Sequence, residues 1–261
     1  MGQHLSEQLN ISIGQIPLSL QIAEQDLFAK ALQRYEKFLG QSAEALPIFV
    51  RASAERDEFA GRAIARNPAL SYEWSGATLQ LEEAAAQFQG VRHEFGLDSL
   101  IRILLSVLLV PRRGFLLHAA TILRDGKTYV FTGHSGAGKS TIASLSPPGS
   151  VLTDEISLLR RSGDAWHGYG TPFWGEFRAE GNNTHAPVAG IYVIHQARED
   201  WIEPMSSREA VRAMLPNVMF FSREPEITGR LLQLLTEIVE QVPCYRLHFQ
   251  RQSSFWRVVA R

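Results

Sequence analysis

Gly133-His134-Ser135-Gly136-Ala137-Gly138-Lys139-Ser140 sets three glycines, a lysine and a hydroxyl in the order G-x-x-x-x-G-K-[ST]. Each fixed position has a physical reason. A loop that wraps a phosphate turns its backbone N–H groups inward, and glycine permits those angles and leaves no Cβ in the way. Lys139 offers a positive charge to the β- and γ-phosphates of a nucleotide, and Ser140 a hydroxyl to Mg2+. The flanks agree with that reading. Tyr129-Val130-Phe131 reads as a strand entering the loop, and Thr141-Ile142-Ala143-Ser144-Leu145 as a short helix leaving it, with the helix start a natural place for an anion. The expected nucleotide contacts are therefore Gly133, His134, Ser135, Gly136, Ala137, Gly138, Lys139, Ser140 and Thr141. The plainer alternative is a glycine turn joining two strands.

Ser150-Val151-Leu152-Thr153-Asp154-Glu155 comes next. An apolar strand ending in acid is where a P-loop protein holds Mg2+ or its bridging water. Asp154 stands only 15 positions after Lys139. The helix between them is therefore short, and Pro147-Pro148-Gly149 ends it. The alternative is a solvated strand end.

With His118, in Leu116-Leu117-His118-Ala119-Ala120, this block resembles the kinase domain of HPr kinase/phosphorylase and its relatives, over residues 114–160. The resemblance implies an α/β fold whose P-loop core is of the HPr kinase and phosphoenolpyruvate carboxykinase type. It implies that Lys139 and Ser140 hold phosphate and Mg2+, and that Asp154 acts as base toward an acceptor hydroxyl. Glu155 stands where the family has a second aspartate and is a metal candidate. His118 matches a histidine beside the catalytic acid, although by itself it reads equally as a satisfied core histidine. The sequence also departs from the family. His134 stands where the family usually has aspartate. The glycine-rich signature of the phosphorylase activity is not recognisable, and Gly170-Thr171-Pro172-Phe173-Trp174-Gly175-Glu176-Phe177-Arg178 occupies its region. In that stretch Glu176 is a second metal candidate and Arg178 a charge clamp, against the alternative of a turn with one aromatic packed down. Arg208, Arg212 and Arg223 are weaker candidates for flanking the phosphates, because helix-surface arginines are usually solvated.

Composition narrows the partners. The 261 residues carry a net charge of −1, so no overall field draws the chain to nucleic acid or an anionic membrane. The most apolar stretch, residues 100–110, is too short to span a bilayer and contains Arg102. The opening residues lack the apolar core of a signal peptide. Cys244 has no partner for a disulfide, which suits a reducing cytoplasm, and it reads as a buried core residue rather than a catalytic thiol. His167, His185 and His195 lack compact metal-ligand spacing, and His185 reads as a loop residue.

Along the chain, residues 1–10 read as a loose polar tail and 11–22 as a strand broken by Pro17. Residues 26–39 have helical spacing, 47–52, 69–74 and 77–81 read as short strands, and 97–110 as a helix. From residue 115 the pattern is that of an α/β core: strands at 115–123, 127–132, 150–153, 156–160, 189–194, 245–250 and 255–259, and helices at 207–215 and 226–242. The expected division is a small α+β domain over 1–112 and a P-loop kinase-like domain over 113–261. The resemblance implies an ATP- and Mg2+-dependent kinase that phosphorylates a hydroxyl of a protein or peptide. The alternatives are a small-metabolite kinase and a non-enzymatic nucleotide switch. The named family forms homo-oligomers, an assembly that the resemblance extends to this chain.

Overall fold

The computed structural model describes residues 6–52, 62–66, 69–74, 77–81, 86–91, 94–175, 181–222 and 224–259. Two compact units make up the chain, residues 1–107 with 221–223 and residues 108–220 with 224–261.

The first unit holds strands β1 (Glu7–Ile13), β2 (Ile16–Ile22), β3 (Leu46–Ala52), β4 (Arg62–Arg66), β5 (Ala69–Trp74), β6 (Ala77–Leu81) and β7 (Ala86–Val91). Helix α1 (Gln25–Tyr35) and nearly all of α2 (Glu94–Leu108) belong to it as well. The strands form one mixed sheet in the order β1-β2-β3-β7-β6-β5-β4. β3 is parallel to both β2 and β7, and the other neighbours are antiparallel.

The expectation of a loose tail and one broken strand at the start is corrected here. β1 and β2 form a hairpin closed by Gly14 and Gln15, whose φ angles of 58° and 63° make the two-residue turn that matches the twist of a strand pair. Pro17 does not break anything, since it lies within β2 opposite Ser12. Leu9, Ile11 and Ile13 alternate inward along β1, the period of a half-buried strand.

On α1, Leu27, Ala31 and Tyr35 are buried at four-residue spacing, and the helix packs on β1 and β2. Asp98 of α2 ties it to α1. Its Oδ1 accepts from the Tyr35 hydroxyl at 2.6 Å, and its Oδ2 from Arg34 Nη2 at 2.5 Å and Nε at 3.0 Å. Asp98 is buried, and that burial raises its pKa against the opposing pull of Arg34 and Tyr35.

The second unit holds β8 (Gly114–Arg124), β9 (Lys127–Thr132), β10 (Val151–Thr153), β11 (Ile156–Ser162), β12 (Ala165–Tyr169), β13 (His185–Gln196), β14 (Trp201–Pro204), β15 (Val218–Met219) and β16 (Cys244–Phe249). Its helices are α3 (Lys139–Ser144), α4 (Ser207–Met214), α5 (Pro225–Gln241) and α6 (Trp256–Val259). Two long strands are shared between neighbours. The first half of β8 pairs with β11 and the second half with β9. The start of β13 pairs with β12, and the rest runs parallel to β9 and β16. The pairing thus closes a circuit β8-β9-β13-β12-β11, with β10 on the outer edge of β8 and β14 beyond β16.

Cores lie on both faces. On one, Leu231, Leu234, Leu235 and Ile238 of α5 and Met214 of α4 meet Phe115, Leu117, Val130 and Ile191. On the other, Ile142 of α3 meets Phe131, Tyr192, Ile194, Leu247, Phe249, Phe255 and Trp256. The expected strand at 255–259 is helical instead, as the short helix Ser253–Phe255 followed by α6. Adjacent Phe255 and Trp256 are both buried, which a helix permits and an alternating strand does not. His185 is the first residue of β13 and not a loop residue, and its ring stacks on Tyr169 at 4.6 Å. Cys244 is buried, with its thiol donating to the Val242 carbonyl at 3.4 Å. Among the described residues no helix is long and apolar enough to cross a membrane.

Candidate functional site

The glycine-rich loop leaves β9 and enters α3. Its geometry depends on glycine at position 138, where φ is +114° and an added Cβ would stand 2.7 Å from Cζ of Phe249. Phe249 ends β16 and is fully buried, so it cannot give way and the loop is braced from beneath. α3 has only six residues, so its dipole is short, and an anion at this point would depend on the loop and on Lys139. The Lys139 ammonium donates to the Gly133 carbonyl at 3.0 Å and the His134 carbonyl at 3.1 Å. Burial lowers the lysine's pKa, and Glu155 opposes that by raising it.

Facing the loop is the turn between β10 and β11, which carries Asp154 and Glu155. β8 spaces the two sides apart. Ala119 of β8 pairs with Thr132, the last residue of β9, and its N–H donates to the Glu155 carbonyl at 3.0 Å. The Thr132 hydroxyl donates to the His118 carbonyl at 3.0 Å. His118 lies opposite Ile156 in the β8–β11 register, one place beyond the acids.

A second loop, residues 170–175, is laced under the acidic turn. The Thr171 hydroxyl donates to the Ile156 carbonyl at 2.7 Å, and the Thr153 hydroxyl to the Phe173 carbonyl at 3.1 Å. Phe173 and Thr171 are buried. Gly175 N–H donates to Oδ1 of Asp154 at 3.0 Å. The stretch is therefore a turn with an aromatic packed down, and it also touches the acid. Glu176 and Arg178 lie outside the described residues, as does Arg223.

These elements enclose a cavity of about 500 Å3 lined by His118, Ser135, Gly136, Gly138, Lys139, Ser140, Thr141, Asp154, Glu155, Gly175, Gln196 and Arg251. Asp154 is only 2% exposed. Of the expected nucleotide contacts, Gly133, His134 and Ala137 belong to the loop but not to the lining. Ala137 is buried beside Ile142 and Phe131 instead. Arg208 and Arg212 are exposed on α4 and do not line the cavity. Sequence reasoning missed Gln196, which ends β13, and Arg251, which follows β16. Their only signal was position at the carboxyl ends of parallel strands, where open α/β sheets bind ligands.

His167 and His185, 18 positions apart, come together with ring centroids 5.3 Å apart, and His195 stacks with His248 at 5.5 Å. Among the described residues no three His, Cys, Asp or Glu side chains converge as a ready-made metal site. The oxygens of Ser140, Asp154 and Glu155 are hard donors of the kind Mg2+ takes, a cation that usually binds through one or two carboxylates, phosphates and waters rather than an all-protein cage.

Among known proteins, the family described as SynChlorMet cassette protein ScmC matches residues 96–261, more than half of the chain, including α2 from its third residue and the whole of this cavity. No curated protein matches.

Proposed function

The chain belongs to the SynChlorMet cassette protein ScmC family, and for this member we propose an ATP- and Mg2+-dependent kinase that transfers the γ-phosphoryl group to a hydroxyl of a protein or peptide. One observation carries the reading: Lys139 and Ser140 of the glycine loop share a single cavity with Asp154, Glu155 and His118. Phosphoryl transfer asks mainly for positioning and charge neutralisation, and this set is built for both. A core of the HPr kinase type, as the sequence resembles, is part of the proposal.

Lys139 exchanges its backbone carbonyl partners for phosphate oxygens, which accept stronger, charge-assisted bonds. Ser140, Asp154 and Glu155 are the residues that would hold Mg2+, and bound there the ion neutralises charge on the transferring phosphate. Asp154 is held by the Gly175 N–H and receives the acceptor's proton. In a loose transition state that proton leaves late, so orientation of the hydroxyl is the aspartate's main task. His118, one place beyond the acids, orients or relays. The 170–175 loop is the wall against which the acceptor lies. The single cysteine, free and buried, fits work in a reducing cytoplasm.

The test is transfer of label from γ-labelled ATP to cell extract and to peptides encoded beside the gene. Label should appear with wild type and be lost with Lys139→Ala and Asp154→Asn. If Lys139→Ala holds nucleotide as tightly as wild type, the reading is wrong. If Asp154→Asn transfers label at the wild-type rate, the base is another group.

A further inference from the structure

We propose that Arg251 is the second cation of the phosphate site, that it meets the α- and β-phosphates, and that Gln196 is the residue that positions it. The inference rests on the nucleotide reading above and names a contact within that same site.

Charge is the first argument. Among the residues lining the cavity, Asp154 and Glu155 are acidic, while Lys139 and Arg251 carry the cationic side chains. A triphosphate brings several negative charges to a cavity that already holds two carboxylates. Lys139 alone brings one positive charge to that load. A guanidinium stays protonated at any working pH and offers five N–H donors in a planar fork suited to phosphate.

Geometry is the second. Arg251 Nη2 donates to Oε1 of Gln196 at 3.1 Å, and Nε2 of the same amide donates to the Gly136 carbonyl at 3.0 Å. A carbonyl can only accept and a guanidinium can only donate. The amide of Gln196 therefore has one workable orientation, and it ties Arg251 to the backbone of the phosphate loop itself. Arg251 is exposed, so this tether, and not packing, aims the side chain into the cavity.

Topology is the third. Asp154 and Glu155 follow β10, on the β8 side of β9. Gln196 ends β13 and Arg251 follows β16, on the other side of β9. A phosphate chain lying along the loop with its γ end at the carboxylates has its α end toward β13 and β16. Arg251 thus grips the part of the nucleotide that does not leave.

Binding of Mg-ATP and of ADP to Lys139→Ala, Arg251→Ala, Arg251→Lys and Gln196→Ala, by calorimetry at several salt concentrations, tests this. Arg251→Ala should weaken ATP and ADP alike by about tenfold, the loss expected for hydrogen bonds to a charged group. Its affinity should depend less on salt, and the melting temperature of the free protein should not change. Arg251→Lys should recover part of the loss. Gln196→Ala should weaken both ligands by about threefold, less than the loss of Arg251 because the positioning is loosened while the charge stays, with the salt dependence of wild type. If Arg251→Ala binds as wild type while Lys139→Ala does not, the inference falls and the nucleotide reading stands. Wild-type binding by both variants overturns both. Loss for ATP alone overturns the α,β placement, and wild-type binding by Gln196→Ala overturns its positioning role.

Discussion

The backbone N–H of Gly175 donates to Oδ1 of Asp154 at 3.0 Å, and a Cβ added at Gly175 would stand 3.2 Å from the Glu155 Cβ and 3.4 Å from Asp154 Oδ2. The loop at 170–175 thus holds Asp154 by a hydrogen bond and leaves little room for a side chain at 175 beside the two acids. Gly175→Ala should crowd both acids while leaving the phosphate loop untouched. Phosphoryl transfer should fall by about tenfold, since a displacement of an ångström can cost still more. ADP affinity should stay at the wild-type value. Steady-state transfer and ADP titration on the same preparation check the split.

Glu155 holds up the pKa that burial depresses at Lys139. In the proposed nucleotide site Lys139 would grip phosphate only when protonated, so affinity should be full below its pKa and lost as pH rises through it. Glu155→Gln removes the supporting charge and lowers that pKa further. The alkaline fall in ADP affinity, measured without metal, should therefore move to lower pH in the variant. An unmoved or upward-shifted limb would refute the coupling.

In the first unit, Arg34 and Asp98 are both nearly closed to solvent, with side-chain exposures of 6% and 3%. Removing one partner leaves a buried charge without its counterpart. Asp98→Ala should lower stability by about 3–5 kcal/mol, read by denaturant melting. The double variant Arg34→Ala/Asp98→Ala should lose less than the sum of the single losses.

Burial pushes the Cys244 thiol up to about 12. At pH 8 only about one molecule in ten thousand then carries the reactive thiolate. Iodoacetamide should leave the folded protein unmodified over hours and label it within minutes in denaturant, with mass spectrometry as the readout.

Much of the site was legible in the sequence because its chemistry is local. The 133–140 motif and the Asp154-Glu155 pair each lie in one short stretch, and the structure brings most of them to one cavity. Gln196 and Arg251 were not legible, since an arginine 112 positions beyond Lys139 becomes a neighbour only through the parallel pairing of β9, β13 and β16. The same holds for the fold. The buried run of β13 was plain from its apolar residues. The hairpin at Gly14 and Gln15 was hidden because Pro17 drew the reading of a break to the wrong place. Phe255 and Trp256 favour strands by propensity, but packing on Phe131 decides for a helix.

β8 has a consequence for selectivity. One of its residues, Ala119, is joined on one edge to Glu155 and on the other to Thr132. The backbone at Glu155 therefore stands two inter-strand spacings, roughly 10 Å, from the backbone at Thr132, where the glycine loop begins, and that separation cannot widen without parting the sheet. If the proposed transfer takes place between them, it does so across a gap whose backbone width is constant. Discrimination among acceptors must be written at its rim, in the loops that can vary while the gauge stays the same.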